Sequence, residues 1–454
     1  MSSPIWQRLL WVVMFLVVFE GAVRKWVLPG FQAQIFFVKD LILIAAYGAF
    51  LAASPRSGAH AKVMGGLRIL FVLSSIYFIF ELLNPNSPSL LVSVIGLKNY
   101  LLYMPLAFIV PYIFSSVADV EQKLRKYAIL LIPFVALGLV QFMFPPDHWI
   151  NGYLNHEGEE LSVGGFFGDA SINKVRTTGT FSYIGGFTAF LTIMAYLATA
   201  LAAKNRWRIS GNALVLVLLA LCLAAMFTTG SRGPIWWLVA TLPLALWIWS
   251  RSGLLSSGSL GKMMAASVAI WLLAQFVAAD AYDAYAYRVE HADDVWSRIL
   301  SPFTESWGAV LVMGPIGTGI GSTNGGALTL MGTRDFWWLN GNLFEVEPAR
   351  VLLETGLIGF ILVYAARVWL LLKAITLGVR FRTPLYVALS GVIVGLFMQD
   401  LVLGFVINSA TVGIYYWFSA GLLFAMYRLE AEKALAIRES AKDRHYALVK
   451  KLPA

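Results

Sequence analysis

The sequence predicts an all-α polytopic membrane protein with about twelve transmembrane helices and two long outer loops. Apolar runs extend along the whole chain, which is 59% hydrophobic and only 13% charged, whereas soluble domains are roughly 25% charged. A spanning helix needs about 20 mostly apolar residues. Only helices and closed barrels satisfy their backbone in hydrocarbon, and these runs are too long for barrel strands.

Twelve apolar runs have spanning length. They centre on residues 5–23, 34–53, 67–83, 89–114, 127–144, 182–203, 211–228, 235–250, 261–279, 349–372, 384–404 and 409–428. The first run lacks a small-x-small cleavage site, so we interpret it as a retained span and not as a signal peptide. The fourth contains Lys98, Asn99 and Pro105, which indicates a broken or interfacial helix.

Basic residues predict the topology. With the N-terminus inside, every inner connection is basic. The residues are Arg56, Lys62 and Arg68; Lys123, Arg125 and Lys126; Lys204, Arg206 and Arg208; Arg251 and Lys262; Lys373, Arg380 and Arg382. Inner loops of membrane proteins are enriched in Lys and Arg. Both termini are therefore predicted to be cytoplasmic, and the polar tail 430–454 is predicted to be a cytoplasmic helix that follows a transmembrane domain at 1–429.

The composition excludes several kinds of function. The net charge of +9 comes from loops and the tail, and no nucleic-acid-binding module is present. The single cysteine, Cys222, rules out a disulfide framework and a cysteine metal site. The five histidines have no metal-ligand spacing, so no metal or other cofactor is expected. The glycine-rich segment 314–326 matches neither a P-loop nor a Rossmann motif.

The two outer loops, about 145–181 and 280–348, exceed the length of ordinary connections and are predicted to be folded. The second ends at a helix start marked by Pro348. There Glu347, Arg350 and Glu354 share one helical face, and Glu345 and Glu347 are expected at the membrane surface. One interpretation is a helix cap with an ordinary ion pair. The other is a carboxylate that acts as general base beside an arginine.

Arginines on the outer side form the second candidate constellation. Arg232 lies between Gly230 and Gly233 where the seventh and eighth spans meet. A helix N-terminus and an arginine fork both suit a phosphate, although a lipid-headgroup anchor is an alternative. Arg176 and Arg298 lie in the outer loops, where an arginine is usually solvated. Converging on one cavity, such arginines would neutralise a pyrophosphate.

These motifs together resemble the bacterial O-antigen ligase/polymerase superfamily. The similar segments are RTTGTF (176–181), TTGSRGP (228–234), SR (297–298) with PIGTGIG (315–321), and ETGLIG (354–359). The opening FEGAVRKWVLP resembles polymerase-type members. The resemblance implies a periplasmic glycosyltransferase of the inner membrane that uses an undecaprenyl-pyrophosphate-linked glycan and no metal. It assigns pyrophosphate binding to Arg232 and Arg298, with Arg176 as a further loop arginine.

One position departs from the family pattern. Ligases carry a histidine eleven residues before the glycine that is Gly356 here, and this chain has Glu345. A glutamate is able to serve as base, so the departure favours a polymerase over a ligase. The expected catalytic residues are thus Glu345, Glu347 and Arg350. Expected partners are the lipid-linked glycan, membrane lipids and a chain-length regulator. A ligase and a polysaccharide or lipid-linked-oligosaccharide transporter remain alternatives.

Overall fold

The computed structural model describes residues 3–55, 58–154, 161–162, 174–205, 207–255, 295–312, 314, 316–324 and 345–449. Almost all of this is helical. The helices are α1 Ile5–Ala22, α2 Gln32–Ala53, α3 His60–Val63, α4 Gly65–Phe80, α5 Leu90–Leu101, α6 Leu106–Ile109, α7 Val117–Leu130, α8 Ile132–Met143, α9 Ile184–Lys204, α10 Ala213–Thr228, α11 Gly233–Arg251, α12 Val295–Val312, α13 Glu347–Gly378, α14 Pro384–Val402 and α15 Ala410–Val449. Two short strands, β1 Tyr153–Leu154 and β2 Leu161–Ser162, pair antiparallel.

Within these residues, ten helical segments are long and apolar enough to cross a membrane, and α10 is a shorter apolar helix of 16 residues. They correspond to eleven of the predicted spans, and the run at 261–279 lies outside the described residues. The predicted all-α polytopic membrane fold is confirmed. Helices α9, α14 and α15 are the most buried, whereas α2 and α4 lie at the periphery.

One end of the bundle, here the loop end, collects the predicted outer segments. At this end, the Lys25 ammonium after α1 donates to the Thr178 hydroxyl at 3.0 Å. The Trp26 indole donates to the Trp149 carbonyl, and Asn84 donates to the Ile316 carbonyl. The described parts of the predicted outer loops are therefore hydrogen-bonded to the turns between helices at this end.

The other end, here the tail end, collects the predicted inner segments. Arg428 of α15 donates to the Pro111 and Phe114 carbonyls. The Glu430 carboxylate caps the start of α14 by accepting from the Arg382 and Thr383 amides. Helix α15 continues through the predicted tail without interruption to Val449, so the tail is an extension of the last span.

One predicted element is confirmed in detail and two are refined by the structure. The fourth span is broken, as its composition indicated. Helix α5 stops at Leu101, and the chain continues through α6 and a 3-10 turn at Val110–Tyr112. The basic residues of the second inner connection, 123–126, lie on helix α7 because that helix already begins at Val117. The second outer loop contains a full helix, α12.

Candidate functional site at the loop end

The segment before α9 and the turn before α11 are bound to each other. The Arg176 Nε donates to the Thr229 carbonyl at 2.9 Å, and its Nη2 donates to the Ser231 hydroxyl at 3.0 Å. The neighbouring Thr177 amide donates to the Thr228 carbonyl at 3.1 Å. These bonds bring two of the predicted arginines together, because Arg232 directly follows Ser231.

Arg232 is the residue from which α11 begins, and Pro234 occupies the first turn of that helix. The first amides of a helix carry partial positive charge and lack intrahelical partners. The corner formed by Arg176, Ser231 and Arg232 therefore combines two guanidiniums with a helix N-terminus. Such a combination favours phosphate oxygens. Arg298 lies on α12, and its side chain is outside the described part of the chain.

Helix α13 reverses direction at Gly356. The Arg367 Nη1 lies 3.0 Å from the Glu347 carboxylate, although 20 residues of straight helix would separate them by about 30 Å. Gly356 has φ 60° and ψ −168°, a region that essentially only glycine adopts. Residues 347–355 thus form a short arm that folds back along residues 357–378. At about 33 Å, the longer arm is long enough to span the bilayer by itself.

The reversal leaves carbonyls of the short arm without helical partners, and the glycine-rich segment satisfies them. The Thr318 amide donates to the Leu353 carbonyl at 2.8 Å, and the Gly319 amide donates to the Glu354 carbonyl at 3.0 Å. Gly317 has φ 74°, and a Cβ there would lie 2.5 Å from the Glu354 carbonyl. The glycine-rich segment therefore supplies hydrogen-bond donors to the carbonyls at the break in α13. Within a membrane, backbone groups outside a helix need partners from the protein itself.

The sequence predicted that Glu347 lies at the membrane surface, but the structure places it in the protein interior. Its side chain is 0% exposed, and its carboxylate pairs with Arg367 and accepts from the Val406 and Ile407 amides. A carboxylate with both oxygens engaged in the interior cannot reach a sugar hydroxyl. We therefore correct the expected role of Glu347 from general base to a residue that positions the short arm against the longer arm of α13 and against the loop that follows α14.

Glu345 is exposed, just before the short arm. Its amide and the Val346 amide donate to the Glu305 carboxylate of α12 at 2.6 and 3.0 Å. Arg350 lies on the short arm, one helical turn after Glu347. Glu305 is thus a further acidic residue beside the predicted Glu345.

Glu354 completes the short arm as a buried acceptor. Its carboxylate accepts from the Tyr100 hydroxyl at 2.8 Å and from the Thr323 amide and hydroxyl at 2.9 and 2.7 Å. These bonds link α5, the glycine-rich segment and the short arm. Glu354 holds the arm in place and is 2% exposed.

A group of charged residues that the sequence did not predict lies between α1, α2 and α5. This group, here the hairpin cluster, consists of Glu20, Arg24, Lys25, Lys39, Asp40 and Lys98. Lys39 pairs with Glu20 at 2.7 Å and Lys98 with Asp40 at 2.7 Å. Charged residues within apolar runs are themselves a signal of function, and that signal was available for Lys39 and Asp40. Their pairing across helices was not visible in the sequence.

Helix α14 packs against both α11 and α13. Gly395 of α14 faces Thr241 of α11, and the Asp400 carbonyl accepts from Arg367 of α13. The helix that begins at Arg232 and the longer arm of α13 therefore both pack against α14.

No protein-family model matches the sequence, and no curated protein matches it.

Proposed function

We propose that this protein is a polysaccharide polymerase that joins undecaprenyl-pyrophosphate-linked glycan repeat units at the periplasmic face of the inner membrane. The observation that carries the proposal is the hydrogen-bonded corner at the head of α11, where Arg176 holds the turn that leads into Arg232. A second feature supports it: the exposed Glu345 lies just before the short arm, and its amide donates to Glu305 of α12.

The arginine corner acts on the leaving group. In the proposed reaction, the bond between the anomeric carbon of the donor sugar and the pyrophosphate oxygen breaks, and negative charge develops on the pyrophosphate. Arg176, Arg232 and Arg298 stabilise that charge. Preorganised donors of this kind typically contribute about 10²–10³-fold to kcat each.

Glu345 acts on the acceptor. Its carboxylate takes the proton of the attacking sugar hydroxyl while that oxygen forms the new bond to the anomeric carbon. Attack opposite the leaving group inverts the anomeric configuration. Glu347 contributes indirectly, because its ion pair with Arg367 fixes the short arm that follows Glu345.

A transporter of polysaccharide or lipid-linked oligosaccharide is the second candidate. The hairpin cluster favours it, since charges within the membrane are a common feature of transport pathways. A ligase of the same superfamily would share the arginine corner and differ in its acceptor.

Glycan analysis of a deletion strain discriminates among these functions. A polymerase deletion is expected to accumulate single-repeat species on the carrier and to lose long polymer. Loss of a ligase would leave full-length polymer on the lipid carrier, and loss of a transporter would leave repeat units on the cytoplasmic side. Either result would contradict the proposal.

A further inference from the structure

The hairpin cluster surrounds one aromatic ring with cations. Lys39 Nζ lies 4.0 Å, Lys98 Nζ 4.2 Å and Arg24 Cζ 5.3 Å from the Phe36 ring centroid. Lys25 lies 4.5 Å from the Trp26 ring centroid. Four cations from three segments therefore meet at the loop end of the α1–α2 hairpin.

The carboxylates in this cluster do not balance these cations. Glu20 is shared by Lys39 and Arg24, at 2.7 and 3.4 Å, and Asp40 pairs with Lys98. Lys25, which is 1% exposed, donates to the neutral oxygens of Thr178 and Gly179. Within the described residues, four basic side chains thus face two carboxylates, so the basic groups of the cluster outnumber the acidic ones.

The two paired lysines of the cluster lie inside membrane-spanning segments. Lys39 is seven residues into α2 and Lys98 eight residues into α5, which corresponds to about 10–12 Å along each helix. Charge at such depth is costly, and intramembrane cations are usually paired. An anionic ligand would supply the pairing that the two carboxylates of the cluster do not.

The cluster is accessible from the lipid. Helix α2 is one of the two least buried spans, and its outer face exposes Phe37, Val38, Leu41 and Ile44. Within the cluster's ion pairs, the side chains of Arg24 and Lys98 are the most exposed, at 13% and 12%. An anion that reaches these two side chains would arrive from the membrane side of the hairpin, with apolar surface beside it.

We propose that the hairpin cluster binds the phosphate of a membrane lipid, with Arg24 and Lys98 as the direct ligands and the α2 face holding the lipid chains. A phosphate supplies the missing negative charge, and its oxygens fit the arginine fork. The phosphate belongs either to a phospholipid or to an isoprenoid carrier, since both present the same group. The proposal does not depend on glycan transfer.

Thermal unfolding of the purified full chain in neutral detergent tests this site. One arm compares short-chain phosphatidic acid with the diacylglycerol of the same chains, which lacks only the phosphate. The other arm compares farnesyl pyrophosphate with farnesol. We expect the phosphate-bearing lipid to raise Tm in at least one arm and its neutral counterpart not to do so. The phosphate-bearing lipid that gives the half-maximal rise in Tm at the lower concentration identifies the source of the phosphate.

Arg24→Gln is the direct test variant, because Glu20 keeps Lys39 as a partner and no carboxylate is left unpaired. It should need roughly tenfold more phosphate lipid for the half-maximal shift. The double variant Asp40→Asn with Lys98→Gln removes an ion pair at constant net charge and should show the same loss. Arg251→Gln, an exposed arginine at the tail end, should respond as wild type. Equal shifts with neutral lipids, or wild-type responses in both cluster variants, would overturn the proposal.

Discussion

Two glutamates separated by one residue have opposite surroundings. Glu345 is exposed and its amide is capped by Glu305, whereas Glu347 is buried with its carboxylate bonded to a guanidinium and two amides. Burial of an ion pair is tolerated only when such bonds satisfy it. The exposed glutamate is therefore the one suited to exchange a proton with a substrate.

Glu345→Gln is expected to abolish polymer formation while the protein keeps wild-type Tm, since the change removes an exposed basic oxygen and preserves shape. Glu347→Gln should instead lower Tm, because loss of one partner of a buried pair costs about 3–5 kcal/mol. Polymer yield and thermal unfolding of both variants measure this separation. Normal polymer from Glu345→Gln would reassign the base.

The short arm of α13 is the element that sequence reasoning described least well. Glu347, Arg350 and Glu354 follow helical spacing, and they do share one helix. A glycine within such a pattern is usually tolerated, so nothing local indicated a reversal at Gly356. The reversal depends on contacts with distant residues, such as the Tyr77 hydroxyl that donates to the Thr355 carbonyl at 2.6 Å.

Gly356→Ala tests the reversal. A side chain at φ 60° and ψ −168° costs on the order of 1–3 kcal/mol, so Tm should fall and polymer yield should fall with it. Gly185→Ala provides the matched control, since a Cβ at that helical glycine meets nothing within 4 Å. Equal Tm values for the two variants would show that α13 does not need the glycine.

Helix α3 contributes a pH-dependent contact at the tail end. Burial is the largest cause that lowers the pKa of His60 to about 4, and the positive charges of Arg428 and Arg68 add to it. The His60 ring packs against the Tyr112 ring, with the ring centroids 4.9 Å apart. The unfolded chain binds a proton near pH 6.5, so the stability that neutral His60 provides is present above that pH and is lost as the pH falls towards 4.

His60→Phe keeps a ring against Tyr112 and does not titrate. The Tm of wild type should therefore decline more steeply than that of His60→Phe between pH 6.5 and 4. Parallel declines would remove His60 as the cause.

At the scale of the whole molecule, composition was sufficient for the spans and for the grouping of their ends. Apolar runs and basic loops are properties of each segment alone, and so they can be recognised from the sequence. The cross-helix pairs Glu20–Lys39, Asp40–Lys98 and Glu347–Arg367 are properties of packing. For this reason the sequence located the arginine corner and missed the hairpin cluster.

The basic residues of the predicted inner loops predict the orientation of the bundle, and labelling tests this prediction. Cysteine at Gly30, an exposed loop-end position without neighbours, should react with an impermeant thiol reagent added to the periplasmic side. Cysteine at Ser210, exposed at the tail end, should react only after the membrane is opened. The native Cys222 is buried and should give no background. Reversed labelling would contradict a periplasmic site.

The central claim is that the corner at the head of α11 holds a pyrophosphate leaving group, and Arg232→Lys tests it most directly. Lysine keeps the charge but cannot replace a planar fork. The measurement is polymer yield and length in a deletion strain that carries this variant, beside Arg251→Lys at the other end of the same helix. We predict single-repeat species and no long polymer from Arg232→Lys, with wild-type polymer from Arg251→Lys. Full-length polymer at wild-type yield from Arg232→Lys would contradict the account.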